Sequence, residues 1–178
     1  MEQHGPHLAV GVDAILCEGV CRRAAEAVTG TEVVVAPTLW CGMAEHHMSL
    51  GGTFTFDLPT YRAVLLCFLK SIERHGFRRV LIVNGHGGNI ATINAAFAEI
   101  YGEWSLKRAG GNSAPVRCQL RNWWELSGVD RLCKEQFPVG EGSHATASEV
   151  SVTYAAYPDA VKRVEMSPKI APNGPILD

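Results

Sequence analysis

The stretch RRVLIVNGHGGN, residues 78–89, constrains the fold more than any other part of this 178-residue chain. A short aliphatic run enters a turn that carries Gly85, Gly87 and Gly88, and IATINAAFAEIYGEW leaves it. The run reads as a buried strand and the following segment as a helix, so the unit is strand–turn–helix. Before it, DLPTYRAVLLCFLKSIERHG sets Tyr61, Val64, Leu65, Phe68, Leu69 and Ile72 along one helical face. Asp57 and Pro59 mark the start of that helix and Gly76 its end. After it, VRCQLRNWW reads as another strand and PVGEGSHATASEVSVTYAAYP as a loop leading into a helix. Alternation of this kind predicts βαβ units and a mostly parallel sheet covered by helices on both faces.

Nearer the start, AILCEGVCRRAAEAV has helical spacing, with Asp13 at the N-cap position and Thr29-Gly30 as the stop. EVVVAP, residues 32–37, reads as a further buried strand ended by Pro37. GGNSAP is a loop, and the closing SPKIAPNGPILD is irregular and punctuated by proline. With no linker, repeat or low-complexity segment, residues 1–178 read as one domain. The formal net charge of −2 argues against a nucleic-acid surface, and no apolar run is long enough for a bilayer. Six cysteines without a CxxC pair, and no export signal, point to a reducing, cytoplasmic setting.

The turn NGHGGN stands at the carboxyl end of a strand, the edge where open α/β sheets bind ligands. It is not a dinucleotide fingerprint, because Ile90 occupies the third glycine position, and no Gly-Lys-Ser/Thr follows to make a P-loop. The glycines instead allow close backbone approach around His86, a candidate metal ligand. The opening MEQHGPHLAVGVD then acquires a meaning. Glu2 and His4 are two apart, so an extended backbone projects both to one side. Together with Asp13 and His86 they make a nitrogen- and oxygen-donor set suited to zinc, manganese or iron(II). Carboxylates in this number can hold a two-metal centre, with one bridging.

EQHGPHL with Asp13 nine residues after His4, then EHH with GGT, NGHGGN and SHATASEVS, together resemble the creatininase family of metal-dependent amidohydrolases. The resemblance implies a three-layer α/β/α fold, assembly as homo-oligomers up to hexamers, and hydrolysis of non-peptide carbon–nitrogen bonds in small amides. It implies two divalent metal ions per chain (Zn, Mn or Fe(II)), with Glu2 and His86 on one, His4 on the other and Asp13 bridging. His144 falls on the proton donor or transition-state contact, and Glu149 on the later of two motif glutamates. Glu45 and His46 match a Glu-His pair, and Leu50-Gly51-Gly52-Thr53 stands for phenylalanine-proline-glycine-threonine.

Three departures qualify this. The creatinine-hydrolysing type has a tyrosine and a metal-binding glutamate inside the turn, where this chain has Gly87 and Gly88, which argues against creatinine as substrate. That substitution leaves the His4-side ion short of a third ligand, and Glu149 is the motif carboxylate expected to supply it. Ala147 replaces the first motif glutamate, and the family normally has a strand before the opening motif and more chain at the end, so the sequence reads as truncated at both ends. His46 and His47 read as structural or surface groups, His7 as a packing residue, His75 as a helix-end group, and Trp123 and Trp124 as core or interface. The expected mechanism is attack on an amide carbon by a hydroxide shared between two ions, with His144 passing a proton to the leaving nitrogen. The alternatives are a non-catalytic or inactive α/β scaffold or subunit, and a nucleotide-binding domain built on NGHGGN.

Overall fold

The computed structural model describes residues 1–107, 116–139 and 141–164. The GGNSAP loop and the proline-punctuated end lie outside the described residues. In chain order the elements are α1 (Val12–Ala27), α2 (Leu58–Arg74), β1 (Arg79–Asn84), α3 (Ile90–Lys107), β2 (Arg117–Asn122), α4 (Val129–Gln136) and α5 (Ala147–Ala156). Short 3₁₀ turns occupy Glu45–His47, Gly87–Asn89, Trp123–Glu125 and Pro158–Ala160. β1 and β2 run parallel, paired from Arg79 with Arg117 to Asn84 with Asn122. α3 is the crossover between them, the βαβ unit expected from the sequence.

The layers follow from side-chain alternation along the strands. Val80 and Ile82 of β1 pack with Tyr61, Leu65 and Leu69 of α2 and with Ile93, Phe97 and Ile100 of α3. Val83, on the opposite face, packs with Leu8, Val12, Leu16 and Trp123, and Val150 of α5 joins this second cluster. Helices thus cover both faces of a parallel sheet, an α/β/α sandwich. α2 starts as expected: the Asp57 carboxylate accepts a hydrogen bond from the Thr60 N–H (2.8 Å), and a proline occupies the first turn.

Three elements differ from the sequence reading. EVVVAP forms no strand, and Val33, Val34 and Val35 are 49%, 73% and 38% exposed. A β-branched run has strand propensity, but a strand exists only beside a neighbour that takes its N–H and C=O groups. No strand lies beside this one among the described residues. α1 begins one residue before Asp13, its N-cap is Gly11, and no side chain caps it. α4 has no counterpart in the sequence reading; it meets the second core cluster through Val129, while Leu132 stays 54% exposed.

The carboxyl ends of both strands are tied to the turn that follows β1. The Asn84 amide donates to Asn122 Oδ1 (2.8 Å) and to the His86 carbonyl (2.7 Å). Asn84 Oδ1 accepts from the Asn89 amide (3.1 Å), and Asn89 Oδ1 accepts from the Met43 N–H (2.9 Å). Gly85 sits against α1 so closely that a Cβ there would lie 2.5 Å from the Asp13 carbonyl oxygen. We expect Gly85→Ala to destabilise the protein by about 1–3 kcal/mol, the usual cost of overpacking. Urea unfolding checks this, and an unchanged midpoint would show that α1 can move away freely.

Candidate functional site

Glu2 and His4 are each 1% exposed although they stand at the start of the chain. The Glu2 N–H donates to the Val10 carbonyl (2.9 Å), which folds residues 2–10 into a closed loop against α1. The His4 Nδ1–H donates to the Glu2 backbone carbonyl (3.1 Å). That bond turns Nε2 inward, the arrangement in which a backbone oxygen orients a ligating imidazole. His4 Nε2 lies 3.2 Å from Asp13 Oδ1 and 3.5 Å from Glu149 Oε1. Two donors on one tetrahedral ion at zinc distances stand about 3.3 Å apart. Asp13 reaches the other side as well, with Oδ2 3.8 Å from His86 Nδ1. His86 Nδ1 is 2.8 Å from Glu2 Oε1.

The candidate residues from the sequence therefore lie in one cluster. His144 joins it through Nδ1, 3.5 Å from Glu2 Oε1, while its Nε2–H donates to the Gln3 carbonyl (2.7 Å). His46 and His47, read from the sequence as structural or surface groups, belong to it too. His47 Nδ1 pairs with Glu2 Oε2, and the His46 ring stacks on His86 at 5.2 Å and 8°. The sequence signal was present, a Glu-His-His run, but adjacency in sequence does not show which way a 3₁₀ turn aims its rings. His7 does not enter the cluster; its backbone carbonyl accepts from the Lys162 N–H (2.8 Å).

Glu149 has two jobs. Its Oε2 accepts from the Thr146 N–H (2.7 Å), and the Thr146 hydroxyl accepts from the Glu149 N–H (3.2 Å), a capping box that starts α5. The other oxygen, Oε1, is left facing His4. His144 precedes Ala145, a non-glycine residue at φ +51°. This left-handed step turns the backbone between the histidine and the cap, at a strain cost of roughly 1–3 kcal/mol.

The electrostatics suit a cation. His4 Nε2, Asp13 Oδ2 and His86 Nε2 are buried and make no hydrogen bond among the described residues, despite the short separations above. Burial pushes the Asp13 carboxyl up, against the pull of His4. Burial also works against Glu2, but hydrogen bonds from His144, His86 and His47 hold its carboxyl well below the usual range. Burial lowers His4, yet the Asp13 and Glu149 carboxylates close to its Nε2 outweigh it and carry His4 up to about 11. Three ligand groupings result: Glu2, His4 and His144; Glu2, His46 and His86; His4, Asp13 and Glu149. Within each, donor atoms lie within 4.8 Å of one another. Donors that converge without satisfying each other fit a divalent ion.

A family model described as Creatinine amidohydrolase matches residues 1–176. The creatinine amidohydrolase of Pseudomonas putida is 29% identical over 174 residues, covering 90% of this chain and 63% of that protein. The 3-dehydro-scyllo-inosose hydrolase of Thermotoga maritima is 31% identical over 176 residues, covering 94% of this chain and 52% of that one. A solved manganese form of creatininase has a TM-score of 0.74 at 25% identity, covering 90% of this chain and 63% of the other. The chain thus spans less than two thirds of the length of these relatives.

Two outcomes follow from the geometry. Because His4 is held protonated up to about 11, an ion that takes its Nε2 must displace a proton. Metal affinity should therefore rise with pH, by about tenfold per unit for one proton. In the metal-free protein the sign is opposite: the raised His4 value stabilises the fold fully below the ordinary histidine range, and this is lost as pH rises toward 11. Calorimetry in buffers of different ionisation enthalpy measures the proton release, and affinity independent of pH would contradict it. Thr146→Val should cost about 1 kcal/mol through the lost cap. Because the backbone N–H of residue 146 still holds Glu149 Oε2, metal binding should change little, as urea unfolding and metal titration would read.

Proposed function

The chain belongs to the creatininase family, and from that premise we propose that it is a metal-dependent amidohydrolase acting on a non-peptide C–N bond of a small cyclic or linear amide. The observation that carries the reading is the convergence of Glu2, Asp13 and Glu149 with His4 and His86, where His4 Nε2, Asp13 Oδ2 and His86 Nε2 are buried without a hydrogen-bond partner among the described residues. Glu2 and His86 would hold one divalent ion, His4 and Glu149 the other, and Asp13 would serve both, its two oxygens facing His4 and His86. Zinc, manganese and iron(II) all suit such donors. Such ions, when bound, polarise a carbonyl oxygen and lower the pKa of a water nucleophile.

The protein's own part in the reaction centres on His144. Its Nε2–H is committed to the Gln3 carbonyl, so the proton it can give or take is on Nδ1, at the edge facing Glu2. Burial lowers its pKa, but the hydrogen bond to Glu2 and that carboxylate's charge raise it on balance. A ring that keeps its second proton more readily than an ordinary histidine is suited to protonate a leaving nitrogen near neutrality. His144, at 24% side-chain exposure, and His47, at 13%, form the open edge of the cluster, whereas Glu2 and His4 form its floor. Substrate would approach from that edge. A Cβ at Gly87, next to His86 in sequence, would meet nothing within 4 Å, and the absence of a side chain there suits amides other than creatinine.

The same reading takes residues 1–178 as one domain, working as a cytoplasmic homo-oligomer that binds no nucleic acid or membrane. No helix among the described residues is long and apolar enough to cross a membrane, and all six cysteines are free. Exposed apolar side chains such as Val34, Trp40 and Phe54 are consistent with self-association.

The test is metal analysis together with a hydrolysis screen of the metal-loaded protein. Two ions per chain are expected. Asp13→Ala should lose more metal than Glu2→Ala, His4→Ala or His86→Ala, since it alone serves both ions. A formylated amine or larger amide should turn over faster than creatinine. Full occupancy in Asp13→Ala, or no hydrolysis of any amide by protein that holds two ions, would overturn the proposal.

A further inference from the structure

We propose that His46 is a metal ligand on the Glu2–His86 side, so that this ion is held by two imidazoles and a carboxylate in addition to the shared Asp13. The inference rests on the reading of the cluster as a metal centre and goes beyond it in naming a ligand that neither motif nor spacing suggested.

Three observations place His46 there. Glu2, His46 and His86 each present a ligand atom, all within 4.8 Å of one another. The His46 ring lies nearly parallel to His86, centroids 5.2 Å apart, which keeps it beside the imidazole that faces the buried Glu2 carboxylate. And the neighbouring turn has made room for it. A Cβ on Gly88 would lie 2.8 Å from His46 Cε1, 2.6 Å from His86 Nε2 and 2.6 Å from the Met43 carbonyl oxygen. No side chain at position 88 can share that space with the two rings.

The position is also fixed from behind. Asn89 Oδ1 accepts from the Met43 N–H (2.9 Å), and the Thr55 hydroxyl accepts from the Ala44 N–H (2.9 Å), which anchors the backbone just before the turn. His47, next in sequence, pairs with Glu2 Oε2. His46 and His47 therefore approach one carboxylate from different directions, with their rings 4.3 Å apart and tilted by 50°. His47 meets Glu2 by direct pairing, and His46, stacked on His86, presents its ligand atom to the same group of donors as Glu2 and His86. Two histidines and one glutamate form a set that holds zinc in open hydrolytic sites.

The experiment is metal titration of the wild-type chain and of His46→Gln, with cobalt(II) as a spectroscopic stand-in for zinc. Imidazoles bound to cobalt give strongly shifted, solvent-exchangeable N–H resonances, and these count the histidine ligands. Wild-type protein should show signals from His4, His46 and His86. His46→Gln should lose one of them and bind one of its two ions more weakly, by more than the roughly 10–100-fold that an outer-shell partner is worth. The wild-type count stands even where the variant does not fold. Only two ligand signals in wild type, or a His46→Gln protein with unchanged affinity and signals, would overturn the assignment while leaving the two-ion reading intact. A wild-type chain that takes up no metal would overturn both.

Discussion

The Glu2 carboxylate is the point on which the site depends. It is almost wholly buried, and a buried charge is tolerated only when it is paired and hydrogen-bonded. Its partners come from three separate parts of the chain. His86 follows β1, His47 belongs to a 3₁₀ turn ahead of α2, and His144 leads into α5. The pairing thus ties the opening loop, the sheet edge and the last helix together at one place. Loss of any one partner leaves a charge that the remaining groups compensate less well, which makes the assembly of this corner cooperative.

What brings those partners within reach is the sheet edge. Asn84 and Asn122 are the last residues of β1 and β2 and face each other in register. Their amides close the ends of the two strands and fix the direction in which the chain leaves β1. Gly85 then allows α1 to lie directly against the turn, which sets Asp13 between His4 and His86. Asp13 is in the first turn of α1 but does not cap it, because its carboxylate is turned toward the two histidines. A helix start without a side-chain cap is a local cost, and here it coincides with the residue proposed to serve both ions.

Much of this was legible in the sequence because the signals were local or periodic. The one-faced pattern of α2 and the aliphatic run of β1 each follow from spacing over a few residues. The gathering of Glu2, His4, Asp13 and His86 was legible because short glycine-containing motifs leave little freedom in how they are placed. EVVVAP failed for the opposite reason. Its β-branched residues show what the segment could do, but a strand is a relation between two segments, and residues 32–37 cannot specify their neighbour. The placement of His46 and His47 beside Glu2 was not legible for a similar reason. Which ring faces Glu2 depends on the Asn89 and Thr55 side chains that anchor Met43 and Ala44, contacts far apart in sequence.

Charge balance bears on how many ions such a cluster needs. Glu2, Asp13 and Glu149 bring three negative charges when ionised, and a ligating imidazole is neutral. One divalent ion would leave the site with a net negative charge, which opposes the oxyanion that develops when an amide carbonyl is attacked. Two divalent ions would leave one positive charge, which such an oxyanion neutralises in a site shielded from water. His4 fits this account. Without an ion it is held protonated between Asp13 and Glu149, supplying part of the missing positive charge itself. An ion that displaces that proton adds one net positive charge at the same position. The carboxylates that flank His4 are therefore the ones that would hold the second ion, and their buried pairing with His4 would be its preformed ligand set.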